Sequence, residues 1–254
     1  MALFTDGRVS DMEDLTAQDT QLTNVANVEG IDVTQKLGLA QEELALELTT
    51  LFHGAKRAEP AFWLAPQATI QNVVVTPALK LWHTFRTLQQ VYQDAYSNQL
   101  NDRYGAKRDQ FEERANWAYE KLLLLGIGIA WSPVPRPREP QLVSTPGNLA
   151  DGTYYVTMAW INNKGEEGAP SVATPITTAG STLLVHPCTP PACATGWNVY
   201  AGTDLGALSR QNESPIGVLQ AWLQPNAMAT GGSAPGWGQS PNYLMAVPRT
   251  ILRG

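Results

Sequence analysis

The chain has 254 residues, a length that accommodates one or two domains of ordinary size. Charged residues make up only 16%, against roughly 25% in soluble proteins generally, and 21 glycines with 18 prolines exclude a purely helical protein. The net charge of −6 is uneven: residues 1–40 carry seven acids and two bases, whereas 127–254 carry six of each. No Lys/Arg cluster of the kind that grips phosphates is present, so duplex DNA is not expected as a tightly held ligand. The longest apolar run, 122–131, is shorter than the roughly 20 residues that span a bilayer, so no membrane partner is expected. The first residues lack a charged-then-apolar signal pattern, which predicts folding in a cytoplasm.

In chain order, residues 1–36 are polar without a sustained period and read as an acidic, extended N-terminal arm. Residues 37–130 read as helical. Leu37, Leu44, Leu48 and Leu51 form one apolar row, with Leu39 and Leu46 in a second row beside it. A helix apolar on two sides needs two partners, so Leu39, Leu46, Leu44 and Leu48 are the candidates for packing against a neighbouring subunit. Thr76-Pro77 is a strong helix start, since Thr caps free N–H groups and Pro at the first position loses no hydrogen bond. Leu81, Phe85, Leu88, Tyr92 and Ala95 follow at helical spacing. A second stripe from Leu100 through Phe111 to Leu125 stops at Gly126. The two read as an antiparallel hairpin.

Residues 131–140, WSPVPRPREP, predict a stiff linker that holds the next domain at a distance. Between 141 and 225 the vocabulary turns to strands, at 153–161, 172–177, 181–186, 196–201 and 218–223, with turns between them, which suggests a small antiparallel β-sandwich. Residues 226–254 form a Gly/Pro-rich leash and an apolar C-terminal arm. Its apolar end either returns to the core or is delivered onto another chain, with Trp237, Tyr243, Leu244, Val247, Ile251, Leu252 and Arg253 as the partner-binding candidates.

Catalytic signatures are not found: there is no Gly-x-Ser-x-Gly, P-loop, dinucleotide fingerprint or HExxH, and the three histidines are far apart. No catalytic, cofactor or metal residues are nominated, and an enzyme is not expected. His186, Cys188 and Cys193 share one loop, open to reading as unpaired thiols, a disulfide or an incomplete metal site, since zinc prefers four ligands. Trp160, Trp197, Trp222 and Trp237 suggest a sugar-stacking platform, although Trp160 and Trp197 also fit a core.

The stretch TPALKLWHTFRTLQQVYQDAYSNQLNDRYGAKRDQFEERANWAYEKLLLLGIGI resembles the α-helical core of head-to-tail connector (adaptor) proteins of tailed bacteriophages, over about residues 30–130. The phrases GTYYVTMAWINNKGEEGAPS and GWNVYAGT resemble immunoglobulin-like or fibronectin type III-like modules of phage structural proteins, over about 141–225. The resemblance implies an α+β multidomain protein: an α-helical bundle with long antiparallel helices, a small antiparallel β-sandwich and an extended C-terminal arm. It further implies a homo-oligomeric ring, usually of twelve, docked on the portal protein at the head–tail interface of the virion. Such a ring meets the tail or a tail-completion protein and lets genomic DNA pass through its lumen without specific binding. The alternative expectation is a tail-associated protein that binds host-surface glycans.

Overall fold

The computed structural model describes residues 1–53, 68–99, 102–225, 227–229 and 231–245. Helices combine with antiparallel sheets, so the protein is of mixed α+β class. The chain divides into two compact units: a helical unit of Gly7–Trp131 with Pro241–Gly254, and a β unit of Met1–Asp6 with Ser132–Ser240.

The helical unit begins inside the segment expected to be an extended arm. Met12–Gln18 (α1) and Leu22–Glu29 (α2) are helices, and Val33–His53 (α3) starts four residues before Leu37. The local signals are polar ones. Asp11 and Asp14 exchange backbone and side-chain hydrogen bonds as a capping box at the start of α1, and Asp32 accepts from the Gln35 amide at the start of α3. Helices this short bury few positions: α1 buries Leu15 alone, and α2 buries Leu22, Val25 and Ala26, an i, i+3, i+4 row of a single turn.

Pro77–Gln99 (α4) and Asp102–Leu125 (α5) follow. The Thr76 hydroxyl accepts from the Leu79 amide at 3.4 Å, as the Thr-Pro start predicts. Trp82 meets Tyr119, Phe85 meets Phe111, and Tyr92 meets Tyr104, so partners descend on α5 as they ascend on α4 and the two helices run antiparallel. The helix α3 packs on α4. Gly126, at φ +91°, ends α5 in the left-handed region that glycine tolerates. It leads into Ile127–Ile129 (β1), whose three residues are buried. One edge of β1 meets Val73 and Val74. Its other edge pairs antiparallel with Asn242–Leu244 (β10). A Cβ on Gly128 would lie 2.6 Å from Thr76 Cγ2 and 3.0 Å from Pro241 Cβ, so only glycine lets these segments close on one another.

In the β unit, Gln141–Pro146 (β2), Gly152–Asn162 (β3), Thr174–Thr178 (β4), Ser181–His186 (β5), Ala194–Gly202 (β6), Ser209–Arg210 (β7), Ile216–Gly217 (β8) and Trp222–Leu223 (β9) form two antiparallel sheets. One has the order β2-β5-β9 and the other β4-β3-β6-β7, with β8 also on β6. The period of two explains the packing. Tyr154, Val156, Met158 and Trp160 from β3 join Leu183 and Val185 from β5 and Trp197, Val199 and Ala201 from β6 in one core. Tyr155 and Ala159, on the opposite face of β3, pack with Tyr200 and Leu208. Trp160 and Trp197 are cross-strand partners, and the Trp197 indole donates to the carbonyls of Gly217 and Gln220.

Residues 132–140 belong to the β unit. Val134 is buried within the β core, and its amide donates to the Gln239 side chain at 2.6 Å. Positions 134, 137 and 140 are buried at a spacing of three, the repeat of a polyproline helix, so a segment that cannot be helical still buries one side. The described part of the expected leash also lies on this unit. Ser233 accepts from the Arg210 amide, and Gln239 is buried against Ser132 and Glu166. Leu3 and Phe4 are buried, and the Asp6 carboxylate accepts from the amides of Leu3 and Arg136, each at 2.7 Å.

Candidate interaction surfaces

The two leucine rows of α3 have different fates. Leu37, Ala40, Leu44, Leu48 and Phe52 turn inward, with Leu44 at 1% and Leu48 at 0% exposure. Leu44 and Leu48 are therefore core residues of their own chain, which corrects their assignment to subunit packing. At 3.6 residues per turn Leu39 and Leu46 fall on the opposite side, and they are exposed by 40% and 71%.

That outer row borders two adjoining depressions that share Glu43, Leu46 and Arg86. One continues along Leu39 and Gln93, and the other is floored by Trp82, Ala115 and Tyr119. Arg86 donates to Glu43 at 2.6 Å and to Gln89 at 2.7 Å, and Lys36 pairs with Asp94. Glu42 and Glu47 complete the rim and have no cationic partner among the described residues. The apolar part of the face is Leu39, Leu46, Trp82 and Ala115; the rest is polar, and its carboxylates outnumber its cations.

A second exposed apolar row lies on α5, where Trp117 is 49% and Leu124 65% exposed. Lys121 stands between them, 6.0 Å from the centre of the Trp117 ring. The sequence carried a signal for this row, an apolar pair seven residues apart, but the deeper stripe through Phe111 and Leu122 masked it.

The predicted C-terminal site is divided. Tyr243 and Leu244 pair within their own chain, opposite Gly128 and Ile127. They belong to the helical unit rather than to a free arm, because β1 would otherwise leave one edge of its backbone unbonded. Val247, Ile251, Leu252 and Arg253 lie outside the described residues. Trp237 is 89% exposed. Trp160 and Trp197 are core, and Trp222 is packed against it, so these three form no open stacking platform.

Three polar clusters fasten the units internally. His83 is fully buried. Its Nε2 lies 3.0 Å from the Leu37 carbonyl and its Nδ1 2.6 Å from the Ser10 hydroxyl. A carbonyl only accepts, so Nε2 carries the proton and Nδ1 accepts from Ser10; burial holds the ring neutral, with its pKa lowered from 6.5 to about 4. Asp19 accepts from the Tyr92 hydroxyl at 2.6 Å and pairs with Lys107 at 3.3 Å. Burial alone would raise the Asp19 pKa, but the hydrogen bonds from Tyr92 and Gln21 and the charge of Lys107 outweigh it and hold it below the usual range. In the β unit the Glu167 carboxylate accepts from Tyr200 and Asn198, and burial with this carboxylate pushes the Tyr200 pKa up.

Cys188 and Cys193 are free thiols, half-buried in the loop after β5, and burial pushes the Cys193 pKa up. Among the described residues no three His, Cys, Asp or Glu side chains gather as a metal site, and no helix is long and apolar enough to cross a membrane. No family model matches the chain, and no curated protein matches it in sequence.

Proposed function

We propose that this chain is a structural virion protein, a head-to-tail connector (adaptor) of a tailed bacteriophage. In this reading the helical unit is the adaptor bundle and the β unit an appended immunoglobulin-like or fibronectin III-like sandwich. Copies assemble as a ring of about twelve, dock on the portal, meet the tail or a tail-completion protein and extend the DNA channel at the head–tail interface. The observation that carries the reading is the doubly apolar α3, which satisfies its own core with Leu44 and Leu48 and still presents Leu39 and Leu46 outward. Exposed leucines in a row along one helix have a physical use when another subunit covers them. The resemblance of residues 30–130 to adaptor helices supplies the kind of assembly.

Native mass spectrometry of the full chain, alone and with a portal protein, tests this. A twelve-fold ring or a portal complex supports the adaptor, whereas a stable trimer that binds glycans supports the host-surface alternative. The docking role of the C-terminal arm is tested by deleting residues 246–254, a cut that spares the buried Gln239 and the β10 strand. Loss of portal attachment is the expected result, and unchanged attachment refutes the arm's role.

A further inference from the structure

The helical unit carries two exposed surfaces, each with large apolar side chains among polar ones, that do not overlap. The first is the groove between α3, α4 and α5, walled by Leu39 and Leu46 and floored by Trp82 and Tyr119. The second is the row of Trp117, Lys121 and Leu124. Both use α5, but from different flanks. Ala115, Asn116 and Tyr119 look into the groove, and at 3.6 residues per turn their mean direction is roughly 160° from that of Trp117, Lys121 and Leu124. A surface on one flank and a complementary one on the other define a head-to-tail contact, which repeats into a ring or an open filament, rather than a self-complementary pair.

The charges match in the same sense. The groove's own cations, Arg86 and Lys36, are engaged by Glu43 and Asp94, which leaves Glu42 and Glu47 as unpaired carboxylates on the rim. On the other flank Lys121 lies over the Trp117 ring and Arg114 over Phe85 and Phe111, and neither has a carboxylate partner among the described residues. Glu113 and Glu120 border the far edge of that row. The row therefore has one cationic and one acidic edge, and only one orientation brings its cations to the acidic rim.

We propose that the Trp117–Lys121–Leu124 flank of α5 in one copy seats in the α3/α4/α5 groove of the next copy, with Lys121 facing Glu47. This assignment rests on the ring reading above and names the two faces that build it.

Charge reversal tests it in the full-length protein, since Glu47 and Lys121 lie at the surface and unchanged helical circular dichroism checks folding. Glu47→Lys and Lys121→Glu are each expected to weaken assembly roughly tenfold or more, because like charges then face each other. Mixing the two variants is expected to restore the ring with the two chains alternating, since every contact in such a ring pairs opposite charges. The double variant alone is also expected to reassemble. A wild-type ring that neither reversal weakens, or a mixture that fails to reassemble, overturns the face assignment while the ring reading stands. A wild-type chain that stays monomeric with and without portal overturns both.

Discussion

His83 is the sharpest internal test of the helical unit. Its neutral imidazole bridges Ser10, ahead of α1, and the Leu37 carbonyl on α3. Above about pH 6.5 the ring is uncharged in both folded and unfolded chains and contributes no pH dependence. Below that, the unfolded chain takes up a proton that the folded protein refuses until pH falls to about 4. Stability therefore falls by about 1.4 kcal/mol per pH unit from this residue across the window, a total of roughly 3 kcal/mol, and no further loss arises from it below the window. The assay is urea unfolding followed by helical circular dichroism, at steps between about pH 7 and about pH 4.5. Carboxylates such as Asp19 add their own slope, so the comparison is with His83→Gln, whose amide can donate to Leu37 and accept from Ser10 but does not titrate in this range. The wild type is expected to lose roughly 2.5 kcal/mol more than the variant over that range. Parallel pH profiles for the two proteins refute the account of a buried, neutral histidine.

Asp19→Ala should cost about 2 kcal/mol in urea unfolding, chiefly because it leaves the Tyr92 hydroxyl and the Gln21 amide without their acceptor, while the Lys107 ammonium, 38% exposed, keeps water and its aromatic contacts; Tyr92→Phe should cost about half as much. Since the Asp19 carboxyl is held below its usual range, the stability it adds is complete above the ordinary carboxylate pKa and disappears as pH falls through its lowered value. Gly128→Ala should free the Asn242–Leu244 strand, seen as proteolytic trimming of the C-terminal segment that the wild type resists; trimming at the wild-type rate counts against the close approach to Thr76 and Pro241. Trp237→Ala should shift unfolding by less than about 0.5 kcal/mol, since its ring packs on little, and a larger shift means that it is part of the fold.

The parts of the fold written in the sequence are those with local causes. Thr76-Pro77 begins a helix and Gly126 ends one because capping and left-handed backbone act within a few residues. The alternation along β3 likewise announces two faces. Residues 12–29 were opaque because α1 and α2 are short and bury few apolar side chains, while residues flanking α1 are tied from a distance: Asp19 by Tyr92 and Lys107, and Ser10 by His83. The proline segment displayed its inability to be helical but not its burial, which depends on Gln239 more than a hundred positions away. At the candidate surface, the two leucine rows of α3 were legible as rows. Which of them faces the core was not, because that choice is made by α4 and α5 rather than by α3 itself.

The pairing of β1 with β10 bears on how the protein comes into being. Synthesis proceeds from the N-terminus, so α1 to α5 and β1 leave the ribosome before strands β2 to β9 of the β unit are made, and the strand that completes the helical unit follows only with residues 242–244. Until then Ile127, Gly128 and Ile129 have one edge open. The β unit starts earlier still, with residues 1–6, and the Asp6 carboxylate must wait for Arg136 to receive its amide hydrogen bond. Neither unit can therefore be finished during translation in isolation, and a fragment cut at residue 131 would lack a strand of its own sheet.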